Sequence, residues 1–263
     1  MNKNSQYPTE LLSMMRDYYK SYYLDDLALK DWEERLKTNR LQEEEILGKK
    51  LIDALQSKGF SFQNKSILIL GAGTGAEGFY LHNQGFSKVN LIEPNNKAIA
   101  ILKQKAKLYH LPLSNIHHGF GENLPFPSDE FDYVICYTVL EHVQDVGKTL
   151  KEIHRVIKQQ GKGLILTPNY NYPEEPHYKI RTFPPAYMSW MTRLHLKLIK
   201  RYTPFFETLN FITSSKISAI LETHKIPYHH EADLFPPKNT GILALMVKLL
   251  RLQRNQFFVI RKN

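Results

Sequence analysis

Cysteine is almost absent from this chain. Cys136 is the only one, so no intramolecular disulfide can form, and a reducing compartment is the simplest reading. Long apolar runs are also missing. No stretch reaches the roughly 18 uninterrupted apolar residues of a membrane-spanning helix. The opening MNKNSQYPTELLSMM lacks the apolar stretch of a signal peptide. These absences lead us to expect a soluble, cytoplasmic protein, or one held only peripherally at a membrane surface. Acidic residues become scarce late in the chain. Residues 179–263 carry fourteen Lys/Arg against four Asp/Glu, whereas residues 1–178 carry twenty-one against twenty-two. A basic half favours anionic partners such as phosphorylated substrates, lipid headgroups or nucleic acid. A solvated basic surface with no such partner is the alternative.

Hydrophobic residues make up 42% of the 263, enough to bury a sizeable core. The length suits one large α/β domain, or one domain with extensions. Residues 7–60 read as helical, with charged residues between recurring apolar ones and Gly59 as a cap. Ser66 to Leu70 then reads as a buried strand stopped by Gly71. Ala76 to Gln84 is a helix closed by Gly85. Lys88 to Ile92 is a strand, Asn95 to Tyr109 a helix, Phe131 to Tyr137 a strand and Lys148 to Lys158 a helix. Gly161-Lys162-Gly163 reads as a turn into a strand at Leu164 to Thr167. This alternation with short connections predicts a doubly wound, mostly parallel sheet. No internal repeat or low-complexity tract interrupts it.

The rhythm changes past Pro168. Residues 168–185 are rich in Pro, Tyr and Asn, and loops of that length are often functional. Ala186 to Tyr202 reads as a basic, aromatic helix and Ser214 to His224 as another. Pro227 to Phe235 suits a strand, Gly241 to Leu252 an apolar helix, and Gln256 to Arg261 a final strand.

Gly71-Ala72-Gly73-Thr74-Gly75 joins a strand to a helix. Its glycines let the backbone approach a ligand, and amides at the helix start face it. Glu93 follows about twenty residues later, where an acid accepts from both hydroxyls of an adenosine ribose. Loop and acid alone fit NAD-type dinucleotides and S-adenosylmethionine equally, because Gly71-x-Gly73-x-x-Ala76 meets the loose dinucleotide pattern, and a purely structural turn is the further alternative.

The next segments break that tie. HGFGENLPFPSDEFDYV (118–134) and YTVLEHV (137–143), followed by KEIHRVIKQQGKGLILTPN, resemble the class I S-adenosylmethionine-dependent methyltransferases. The likeness is to the type 11 branch, which includes methyltransferases of ubiquinone synthesis, and it covers about residues 64–170. It implies a seven-stranded Rossmann-like sheet with a helical N-terminal extension and an insertion after the fifth strand. It divides the chain into 1–60 as extension and cofactor cap, 61–168 as cofactor-binding core, 169–212 as substrate cover and 213–263 as the rest of the fold. It implies S-adenosyl-L-methionine as cofactor. Gly71, Ala72, Gly73 and Gly75 would approach its methionine part, Glu93 would hold the ribose, and Pro94 would lie beside the adenine. Gly121 and Glu122 would flank the adenine, and Tyr137 would begin the segment passing the sulfonium. Where the family usually has Asp, this chain has Phe120, which either stacks on the adenine or serves as a core aromatic.

Transfer to a hydroxyl calls for a base, and histidine titrates near neutrality. His142, after the fourth strand, and His177, in the long loop, are the candidates. His142 also admits a purely structural reading, and the tandem pairs His117-His118 and His229-His230 read as surface or strand residues. Glu141-His142 also resembles methyltransferases of ubiquinone synthesis, in which EVLEHV supplies a metal-binding carboxylate and imidazole. Here Thr138 replaces the first Glu, so no metal is expected. PEEPHYKI, then a proline pair and an aromatic basic helix, is similar to methyltransferases of surface-glycan and lipid-linked sugar pathways. We therefore expect a small-molecule, glycan or lipid-linked acceptor, with an anionic one favoured by the basic half; Trp190 and its basic neighbours are compatible with peripheral membrane contact or with an ordinary helix packing its aromatic face on the sheet. Two rivals stand beside this reading. An RNA-directed methyltransferase lacks an RNA-binding module and an Asn/Asp-Pro-Pro-Tyr/Phe signature. A non-catalytic cofactor-binding subunit would keep the glycine loop and Glu93.

Overall fold

The structure is a computed structural model that describes residues 7–37, 44–86, 88–231, 234–235 and 253–262. Ile67–Leu70 forms β1, and all four residues are buried. Ile67 and Ile69 pack into one apolar layer, Leu68 and Leu70 into the other. A strand covered on both faces needs no polar alternation, which is why ILIL is continuous.

Four further strands run parallel to β1 in one sheet: β2 (Val89–Glu93), β3 (Ile116–His118), β4 (Phe131–Tyr137) and β5 (Ile157–Pro168). A small antiparallel hairpin follows, β6 (Glu174–Glu175) with β7 (Ile180–Arg181). The main sheet then ends with β8 (Tyr228–Glu231) and β9 (Asn255–Arg261), in the order β3-β2-β1-β4-β5-β9-β8. β9 is antiparallel to both neighbours. The expected doubly wound, mostly parallel seven-stranded sheet is therefore present.

Helices cover both faces. α1 (Thr9–Lys20), which continues as a π-helical turn over Ser21–Asp26, and α2 (Trp32–Leu36) belong to the N-terminal segment. α3 (Glu44–Ser57), α4 (Ala76–Asn83) and α5 (Asn96–Leu108) pack against the Ile67/Ile69 face. α6 (Val146–Val156) covers the Leu68/Leu70 face; α7 (Pro185–Leu198) lies in the insertion; α8 (Ser214–Thr223) joins α6. Capping explains several starts. The Asn95 side chain accepts from the amides of Lys97 and Ala98, and Asp145 accepts from Lys148. A third apolar cluster joins α1 and α2 to the insertion through Met15, Tyr19, Tyr178, Leu196 and Phe206.

Three readings of the sequence need correction. Gly161-Lys162-Gly163 is not a turn but part of β5, which starts at Ile157 and takes up a register shift opposite Phe131 and Tyr133. β3 shows in the sequence only as the surface-or-strand reading of His117-His118, because it is three residues long and two of them are histidines. The long stretch after Pro168 contains the β6–β7 hairpin. The apolar segment Gly241 to Leu252 lies outside the described residues.

Candidate functional site

The carboxyl ends of β1, β2 and β4 open onto one cavity of about 1260 Å³. That exceeds the usual range for one small ligand, about 300–1,000 Å³, and leaves room for two. Gly71, Ala72, Gly73, Gly75, Glu93, Pro94, Phe120, Gly121, Glu122, Tyr137 and His142 all line it. His177 does not.

The glycine loop owes its shape to its residue types. Gly73 has φ +53°, and a Cβ there would meet no protein atom within 4 Å, so the left-handed backbone rather than crowding calls for glycine. Gly75 has φ +90° and caps α4, and a Cβ there would come within 2.5 Å of the Phe79 ring. Glu93 closes the loop. Its Oε2 accepts from the Gly73 amide at 2.9 Å, and its Oε1 accepts from the Asn95 amide at 3.0 Å. Burial raises the Glu93 pKa, and the two amide bonds act against that. Each oxygen keeps a further lone pair, which suits the ribose role expected of this residue.

Two side chains from outside the loop support it; the sequence offers the tyrosines at 18, 19, 22 and 23 either as a cofactor cover or as core, and gives no sign of Lys105. Lys105 of α5 is buried, and its Nζ donates to the Thr74 carbonyl at 2.9 Å. Tyr19 of α1 meets the Thr74 hydroxyl at 2.7 Å. Tyr18, Tyr19 and Tyr22 also reach the cavity wall.

The adenine-side residues are placed unevenly. Phe120 is 53% exposed, so the core reading of this ring is wrong. Gly121 packs tightly on Thr149, and a Cβ would come within 2.9 Å of its methyl. The Glu122 carboxylate accepts from the amides of Gln144 and Asp145, which fixes the turn into α6. At the end of β4, Thr138 has φ +54°, an uncommon backbone for a β-branched residue and one that stores strain beside the cavity. Its hydroxyl donates to the Tyr137 carbonyl at 2.7 Å.

His142 edges the cavity, and its Nε2 lies 3.2 Å from Nε2 of His177. His177 sits behind it, because the insertion folds back over the sheet edge. Its Nδ1 is 2.8 Å from Glu175 Oε1, and the other Glu175 oxygen accepts from the Tyr178 amide at 2.6 Å. A carboxylate acceptor makes His177 Nδ1 the donor and leaves Nε2 to face His142. Burial works to lower the His177 pKa, but the hydrogen bond and charge of Glu175 outweigh it and leave it raised. Desolvation, then the charge of His177, holds the His142 pKa low. Sequence reasoning named both histidines but missed Glu175, whose only cue was its place two residues before His177.

Glu141 adds a third ligand-type group. One donor atom from each of Glu141, His142 and His177 lies within 4.8 Å of the others. Glu141 is fully buried; its Oε2 accepts from the Thr167 hydroxyl at 3.0 Å, and its Oε1 has no hydrogen-bond partner. The expectation of no metal rested on the missing carboxylate at Thr138. The insertion supplies a different donor, His177, and an N,N,O set of this kind suits zinc better than magnesium.

Residues 68–165 match the methyltransferase domain family. A demethylmenaquinone methyltransferase of Lysinibacillus sphaericus is 33% identical over 119 residues, covering 44% of this chain and 50% of that protein. The thiol S-methyltransferase TMT1B of Mus musculus is 37% identical over 100 residues, covering 37% and 40%. The chain spans between about a fifth and a half of the length of the curated relatives it matches. Its fold is similar to an S-adenosylmethionine-dependent methyltransferase from Mesorhizobium loti, with a TM-score of 0.56 at 18% identity over 80% of this chain and 96% of that one. With the sheet order and the glycine loop already described, residues 68–165 are a methyltransferase domain of the class I, S-adenosylmethionine-dependent family.

Proposed function

We propose that this chain transfers a methyl group from S-adenosylmethionine to a hydroxyl or similar nucleophile of a small molecule, glycan or lipid-linked intermediate. The observation that carries this reading is adjacency: the glycine loop closed by Glu93 and the His142 imidazole share one cavity. The cofactor, when bound, supplies a methyl already activated on a sulfonium. The protein's remaining tasks are to align the acceptor, exclude water and take up a proton. Residues 71–75 and Glu93 bind, and Phe120 stacks on the adenine in place of the family's Asp. His142 is the ring that meets the acceptor. His177 and Glu175 are positioning residues: they hold that ring and share its proton across the 3.2 Å contact. In this reading residues 1–60 cap the cofactor, 61–168 bind it, 169–212 cover the acceptor and 213–263 complete the fold. Tyr18 and Tyr22 from one end, and Tyr172 and Phe205 from the insertion, reach the cavity as that division requires. The relatives are named for demethylmenaquinone and for thiols, two different acceptors, so kinship alone selects neither for this chain.

The orphaned Oε1 of Glu141 favours one second reading, a zinc-type ion held by Glu141, His142 and His177. One experiment addresses both. The protein is incubated with tritiated S-adenosylmethionine and the lipid, glycan, RNA and small-molecule fractions of a cell lysate, with and without a chelator. Label in a lipid, glycan or small-molecule fraction that survives the chelator supports the histidine relay. Label abolished by the chelator and restored by zinc supports the metal. Label confined to RNA, or absent altogether, would sink the proposed acceptor class.

A further inference from the structure

We infer that α7 docks on an anionic lipid surface. This inference is independent of the methyl acceptor. α7 is kinked at Met188, where φ is −129° and ψ 41°. Beyond the kink, Trp190, Leu194 and Leu198 recur every fourth residue, and all three are exposed, Leu198 at 73%. Thr192 and Leu196 are buried on the opposite side of the helix. The helix therefore has two apolar faces, and only one of them is used inside the protein. A solvated helix keeps its outer face polar. The outer stripe is extended by exposed Phe183 and Tyr187 ahead of the kink and by Ile199 after the helix.

Charge identifies the occupant. Residues 179–202 contain six Lys/Arg and no Asp or Glu. Arg181, Lys197 and Lys200 are exposed. The acid that reaches this helix, Glu207, is already paired with both Nε and NH2 of Arg193 at 2.7 Å. An isologous contact with a second copy would set Lys197 and Lys200 against the same lysines of its partner. Interface cores between proteins are depleted in lysine. Aromatic and aliphatic side chains rimmed by basic ones are instead the composition of helices lying in a bilayer interface. Each basic residue near an anionic surface adds attraction that salt screens. Among the described residues no helix is long and apolar enough to cross a membrane, so the contact is interfacial.

The test uses the full-length protein with vesicles of phosphatidylcholine, alone or with one-third phosphatidylglycerol. Flotation should recover the protein with the anionic vesicles, and at least tenfold less with neutral vesicles or in high salt. Trp190 is a built-in reporter. It is 56% exposed, whereas Trp32, the other tryptophan, is 8% exposed. Anionic vesicles should shift the emission to the blue, and W190F should abolish the shift. L194E/L198E should lose at least tenfold in vesicle binding with an unchanged thermal midpoint. Should that variant not fold, K197E/K200E carries the same expectation for anionic vesicles. Absence of flotation with anionic vesicles would overturn the inference. So would undiminished binding by the folded variants, or a wild-type dimer that L194E/L198E converts to monomer.

Discussion

Glu93 and Glu175 are both buried carboxylates with backbone amides as partners, yet they do different work. Glu93 holds the loop amide of Gly73 and offers its remaining lone pairs to the ligand. E93A removes charge-assisted bonds of roughly 1.5–3 kcal/mol each. S-adenosylhomocysteine should bind about 100-fold more weakly, and calorimetry reads this directly. Glu175 acts on a proton instead. The His142–His177 pair takes up a proton only when it is neutral, and the raised His177 pKa governs that condition. kcat/KM should therefore fall as pH drops through a value above about 6.5, the ordinary imidazole value. In E175Q the carboxylate is gone, His177 loses the charge that raises it, and the limb should move toward lower pH. A residue that merely supported the fold would lower the rate without moving the limb.

At the scale of elements, two helices grip the same loop residue. α5 reaches the Thr74 carbonyl through Lys105, and α1 reaches its hydroxyl through Tyr19. K105M and Y19F should each weaken S-adenosylhomocysteine binding, about tenfold and threefold, in line with the lost hydrogen bonds. Because both act on Thr74, their effects should not add, and a double-mutant cycle should show a coupling of about 0.5 kcal/mol or more. Strict additivity would mean that the two helices do not share control of the loop. The contacts to Thr74 were not legible in the sequence, although the tyrosine cluster could be read as a cofactor cover. Lys105 reads as one more lysine on a Lys-rich helix, and Tyr19 as one of four clustered tyrosines. What was legible followed from short-range rules: ILIL before glycines, a helix running from about Asn95 to Tyr109, and LEHV at the end of a strand. The hairpin carrying Glu175 was not, because it pairs only two residues a strand and its charge matters only once His177 folds beside it. Phe120 stayed open between two readings for a related reason, since a single aromatic in a loop carries no pattern that tells a core ring from an exposed one.

For the molecule as a whole, site and stability sit at opposite edges of the sheet. At the start of β4, Asp132 accepts from the Ser66 amide and hydroxyl and from Lys158 at 3.0 Å. Burial works to raise its pKa, but these bonds and the Lys158 charge outweigh it and hold it well below the usual carboxylate value. A carboxylate depressed in the fold stabilises above its unfolded pKa, about 3.9, and that contribution is lost as pH falls further. D132N should cost roughly 1–3 kcal/mol at neutral pH and flatten the loss of stability below about pH 4, as followed by denaturant melts. Cofactor affinity at neutral pH should be unchanged, since Asp132 lies at the other end of the strand from Tyr137.

The central claim is that the loop at Gly71–Gly75, closed by Glu93, serves S-adenosylmethionine and not a dinucleotide. Titration of the protein by calorimetry with S-adenosylhomocysteine, and separately with NADH, tests it most directly. One S-adenosylhomocysteine site per chain, about 100-fold weaker in E93A, and no heat from NADH are expected. Saturable NADH binding with none from S-adenosylhomocysteine would contradict it.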